Sequence, residues 1–139
     1  MRQLKELVVI NNPIKSVEED VFWDLPNLEA LSIFGALLEK LPANLLIYMT
    51  KLKEVSFYGN QLTYIDQNLF RRNLQLEQVV FENNKLTTIK VDFTKFKNIQ
   101  ELSFLGNVCT NLEFKKTIPH LSDSKSLDEF QEGINRNCL

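Results

Sequence analysis

Apolar residues return along this chain on a fixed schedule. Blocks beginning at Leu4, Leu28, Leu52 and Leu76 are spaced by 24 residues, and a fifth begins at Ile99 after 23. In register, the first, fourth, sixth, eleventh and fourteenth places are apolar: Leu4, Leu7, Val9, Ile14 and Val17 in the first block, Leu52, Val55, Phe57, Leu62 and Ile65 in the third. Side chains alternate along a strand, so the third to seventh places predict a strand with its fourth and sixth residues inward and its third, fifth and seventh outward. The second half of each period is apolar too, with Val21, Phe22 and Leu25, then Leu45, Leu46 and Met49, then Leu69 and Phe70, then Phe93 and Phe96. A period of this length means one supersecondary unit repeated, each burying its apolar side only against its neighbours. Two irregularities are expected. Leu74 places the last apolar residue of the third unit one step late, which predicts a bulge, and the short fourth unit, alternating through Val91, Phe93 and Phe96, predicts a more extended return segment.

The ninth place holds Asn12, Asn60, Asn84 and Asn107, with Ala36 the exception. A buried amide there has donors and an acceptor for backbone groups that leave the strand ladder at a turn. The preceding place holds Asn11, Gly35, Gly59, Asn83 and Gly106, residue types that tolerate positive φ. The pattern LxxLxLxxNxLxxL resembles the leucine-rich-repeat family from residue 4 to about residue 112, in the style of its 24-residue extracellular members, such as secreted insect leucine-rich-repeat proteins and Toll-like receptor ectodomains. The resemblance implies an α/β solenoid. Its horseshoe has a parallel concave sheet, an irregular or short-helical convex side, and a C-terminal cap, here residues 113–139, with a short helix starting at the capping box of Ser126 to Glu129.

The two cysteines sit at informative positions. Cys109 takes an apolar place of the fifth block and Cys138 is penultimate, so the resemblance implies a disulfide stapling the cap over the end of the core; two free thiols in a cytosolic protein are the alternative. Leu4, Leu7 and Val9 would line an N-terminal end with no matching cap, covered by Met1 to Gln3, by preceding residues, or by another molecule.

Composition adds exclusions. A formal charge of −2 with scattered Lys and Arg lacks the basic stripe of a nucleic-acid surface, and Arg71/Arg72 and Lys115/Lys116 read as solvated pairs. No run of about 18 apolar residues predicts a membrane span. Met1 to Leu4 lack the apolar stretch of a signal peptide, so the chain is expected to start after any such signal. Catalysis finds little support: His120 is the single histidine, read as a surface or capping residue, and neither a metal site nor a cofactor is expected. Trp23 and Tyr48 are expected to pack on the convex side.

What varies between units is the outward face. The seventh column runs Ile10, Phe34, Tyr58, Glu82, Leu105 and the fifth runs Val8, Ser32, Ser56, Val80, Ser103. Strands about 4.8 Å apart would merge these into an apolar ridge on a floor of small residues, with Glu6, Glu54 and Glu101 at its margin. That composition suits a protein-binding site. The simpler reading is that Phe34 and Tyr58 stack to stiffen the sheet. A second column, Lys5, Glu29, Lys53, Glu77, Gln100, alternates in sign and predicts an exposed charge ladder. The chain is therefore expected to be one secreted or extracellular repeat domain that binds a protein through Val8, Ile10, Phe34, Ser56, Tyr58, Val80, Glu82 and Leu105. The resemblance implies recognition, innate immunity or adhesion; self-association into a homodimer is the alternative.

Overall fold

The computed structural model describes residues 1–116 and 126–139. Five strands begin at the third place of their blocks, as alternation requires: β1 (Glu6–Ile10), β2 (Ala30–Phe34), β3 (Glu54–Ser56), β5 (Gln78–Val80) and β7 (Glu101–Ser103). All four pairings among them are parallel and keep the repeat register, Leu7 opposite Leu31, Leu31 opposite Val55, Val55 opposite Val79 and Val79 opposite Leu102. On the return limbs, β4 (Tyr64–Ile65) and β6 (Thr88–Ile89) form a second, two-stranded parallel sheet. The solenoid expected from the period is the architecture observed.

The columns facing inward make one continuous core. Its phenylalanines run through the coils: Phe57 to Phe81 at 5.3 Å between ring centroids, Phe81 to Phe104 at 5.5 Å and nearly parallel, then Phe93 and Phe130 beside Phe104. Burying a side chain of this size contributes about 1.5–3 kcal/mol.

Asparagines bind coil to coil where a turn releases backbone groups. Asn60 accepts from the N–H groups of Ala36 and Leu38 and donates to the carbonyls of Ile33 and Phe57. Asn84 and Asn107 repeat the two donated bonds one and two coils on, and each accepts from one N–H, that of Leu62 or Leu86. Asn12 departs from the expected role. It is exposed and donates only to Ile10 of its own coil, with no earlier coil among the described residues for it to bridge. Strand length follows the same amides. β1 and β2 pair over five residues beside the coil where Ala36 replaces asparagine. From β3 onward the amides draw the carbonyls of Phe57, Phe81 and Phe104 inward, and the strands end at the fifth place rather than the seventh. Glycine is favoured at Gly35 and Gly106, where φ is +66° and +74° and a Cβ would force the amide of Asn11 or Asn83 in the preceding coil to turn away.

The return limbs correct three expectations. No bulge forms at the third: Asn73 itself occupies the buried column of Leu25 and Met49, donating to the carbonyls of Leu46 and Met49, while Leu74 points to solvent. The fourth is not extended but forms a 3-10 turn over Phe93–Lys95. The Asp92 side chain caps that turn at Thr94, and Gln131 holds the Phe93 N–H. Trp23 is 59% exposed rather than packed.

The C-terminal end is closed three ways. β8 (Glu113–Lys115) adds to β7 antiparallel, covering the sheet edge and burying Ser103. Helix α1 (Leu127–Asn137), capped by the Ser126 hydroxyl accepting from the Glu129 N–H, lays Phe130 and Ile134 on the core. A Cys109–Cys138 disulfide ties helix to coil. His120 lies outside the described residues.

Candidate functional site

On the concave sheet, the register sets Ile10 beside Phe34 and lines up Val8, Ser32, Ser56, Val80 and Ser103 across five strands. Outward side chains on parallel strands form one surface, and here it divides into unlike halves.

The half on β1 to β3 is apolar and open. Val8, Ile10 and Tyr58 are 45%, 47% and 40% exposed, and Phe34 is half-buried between the last two. Phe34 and Tyr58 meet edge to face, with centroids 6.5 Å apart and planes at 84°. The two rings are in contact, as the simpler reading requires, yet the edge-to-face arrangement leaves Tyr58 40% exposed. The Tyr58 hydroxyl accepts from the Asn83 amide at 3.0 Å, which fixes the ring from the next coil. Sequence reasoning treated Asn83 only as a turn residue. Its left-handed backbone, with φ of +58°, is the feature that pointed to a fixed orientation there.

The half on β5 and β7 is polar and engaged within the protein. The Ser103 hydroxyl donates to the Glu82 carboxylate, and the Gln78 amide donates to Glu101. Glu82, assigned from sequence to partner contact, is thus occupied by a neighbour. Leu105 is half-buried, and Ser103, expected to face out, is 1% exposed under β8. Val80 and Ser56 sit at the boundary.

Along one margin Glu29 lies between Lys5 at 4.0 Å and Lys53 at 3.4 Å. Lys53 pairs back to Glu29 instead of forward to Glu77, so the charge ladder spans three strands. All three side chains are at least a third exposed, and such pairs contribute about 0–1 kcal/mol. Away from this face, partial desolvation and then the Asp66 carboxylate, which accepts its hydroxyl proton, raise the Tyr64 pKa above the usual phenol value.

Among the described residues no three His, Cys, Asp or Glu side chains group as metal ligands, and no helix is long and apolar enough to cross a membrane.

Residues 1–102 match the model of the BspA type leucine-rich repeat region, in six copies. None of the curated proteins matches the chain. Among solved structures, a leucine-rich-repeat protein of Leptospira interrogans is 26% identical with a TM-score of 0.68, over 76% of this chain and 26% of that one. The leucine-rich-repeat domain of APL1 is 24% identical with a TM-score of 0.70, over 75% of this chain and 27% of that one. That of APL1B is 20% identical with a TM-score of 0.67, over 72% and 30%. The chain spans less than a third of each of these proteins.

Proposed function

The chain belongs to the leucine-rich-repeat family, and from that membership we propose that it is a non-catalytic, extracellular recognition domain that binds a protein partner through its concave face. The observation that carries this reading is the open apolar half of that face. A soluble surface has no need to align Val8, Ile10, Phe34 and Tyr58 across three strands, whereas an aromatic and aliphatic centre with a polar rim is what a partner's apolar side chains bury against. Ser56 and Val80 extend the floor, and Glu82 and Leu105 belong to the rim. The disulfide supports an oxidising compartment, and innate immunity or adhesion is the setting the reading favours.

A capture experiment from extracellular fluid tests it, comparing the native chain with a folded Phe34→Glu/Tyr58→Glu variant. A partner retained by the native chain and lost with the variant supports the reading. A partner bound equally by both moves recognition to the ends or the convex side.

A second reading rests on the N-terminal end. Leu4, Leu7, Val9, Ile14 and Val17 stay partly exposed there and β1 has a strand on one side only among the described residues, so two chains can associate through it. A single monomeric species in sedimentation across the micromolar range excludes that assembly.

A further inference from the structure

The step between the third and fourth return limbs opens a cleft on the side of the molecule opposite the concave sheet. Up to Ile65 and Lys90 the limbs run in register, joined by β4, β6 and the bond from the Lys90 N–H to the Ile65 carbonyl. Beyond that point they part. The fourth unit is a residue short and tightens into the 3-10 turn of Phe93–Lys95, while the third continues in open turns, leaving a cleft of about 460 Å³.

Its charge does not match that of the whole chain. Arg71 enters from one limb and Lys90 and Lys95 from the other, in a protein of formal charge −2, and none of the three forms an ion pair among the described residues. The one carboxylate in the cleft, Asp92, has an oxygen taken up by the N–H and hydroxyl of Thr94. Phe70, Val91 and Phe96 form the floor, so polar and apolar surface are about equal in the lining, and Asn68 adds an amide to the wall.

We propose that this cleft binds a sugar carrying a phosphate or sulfate monoester. The guanidinium of Arg71 suits two oxygens of a tetrahedral anion at once, and the lysines add point charges. The volume lies within the roughly 300–1,000 Å³ of small-molecule sites, which leaves space for a body behind the anion. A lining of about equal polar and apolar surface fits a sugar, whose ring has hydroxyl groups and C–H faces, better than an acyl chain. The site is independent of the concave face.

Amide NMR titrations at low salt test the assignment, with glucose 6-phosphate, glucose 6-sulfate, inorganic phosphate and glucose as probes. Saturable shifts confined to Arg71 and to residues 90–96, with either ester tighter than inorganic phosphate and glucose inert, are expected; the tighter ester names the source. The Arg71→Ala/Lys90→Ala variant, with its melting temperature unchanged because both side chains are exposed, should bind at least about tenfold more weakly, since hydrogen bonds between charged groups are the strong ones. A Lys51→Ala variant should bind as the native chain does. Shifts that never saturate or spread over other lysines, an ester no tighter than inorganic phosphate, or unaltered binding by the double variant each overturn the proposal.

Discussion

Removing Asn60 tests whether the asparagine column or the apolar columns hold successive coils together. Its amide makes four bonds of 2.8–3.2 Å in a site 2% exposed: two accepted, from Ala36 and Leu38, and two donated, to Ile33 and Phe57. In Asn60→Ala water does not reach the site, so two N–H groups are left without partners at about 1–3 kcal/mol each, and two carbonyls lose a donor at less. The expected loss is about 3–5 kcal/mol. For a chain of this size each kcal/mol lowers the melting temperature by roughly 3–4 °C, which makes the shift about 9–20 °C. Asn60→Leu, similar in volume, separates hydrogen bonding from cavity formation and should lose at least about 2 kcal/mol through the same unsatisfied groups. Asn12→Ala is the control, since that side chain is exposed and bonds only within its own coil, and its cost should stay below about 0.5 kcal/mol. Urea unfolding followed by circular dichroism gives these differences directly. If Asn60→Ala falls within about 1 kcal/mol of Asn12→Ala, the amide column is not what joins the coils.

Three further outcomes are expected. Cys109 and Cys138 are 29 residues apart, so Cys109→Ala/Cys138→Ala should lose about 3–4 kcal/mol by the chain-entropy model, with hydrogen exchange rising first in α1; uniform exchange along the chain would contradict a staple on the cap. Asn73→Ala takes one of two donors from each of the buried carbonyls of Leu46 and Met49 and should cost about 1–2 kcal/mol, whereas the neighbouring Leu74→Ala, on an exposed side chain, should change stability by about 0.5 kcal/mol or less; equal effects would count against Asn73 as the buried rung. Because the folded-state pKa of Tyr64 lies above its unfolded value, the stability tied to its proton is intact below the ordinary phenol pKa and is lost as pH rises through the folded value; subtracting a Tyr64→Phe melting profile should expose that alkaline loss, and superimposable profiles would refute it.

The repeating half of this fold was legible in the residues because its physics is local. Strand alternation and the 24-residue spacing assign Leu31, Val55 and Val79 to one inward column with no knowledge of their partners. The capping box did the same for α1, since Ser126 and Glu129 interact across a single turn. The proposed face was legible only as a list of outward residues. That Phe34, Tyr58 and Ile10 form its open part, while Glu82 and Ser103 satisfy each other, depends on which coil lies on either side.

Everything decided by neighbours or by ends lay beyond sequence reasoning. Asn12 and Asn60 are the same residue in the same column, yet one is exposed and the other a buried rung, because among the described residues only Asn60 has an earlier coil to bridge. Asn73 looked like a slip of register, and three-dimensional packing made it the partner of two carbonyls 24 and 27 residues away. The sequence by itself determined the period, the core columns and the helix start, since each follows from the geometry of one strand or one turn. Tertiary structure alone decided where the amide column begins, how far each strand runs, which outward residues stay open and where the return limbs separate. Those features depend on hydrogen-bond partners and free volume supplied by adjacent coils, which a residue's own neighbours in the chain do not specify.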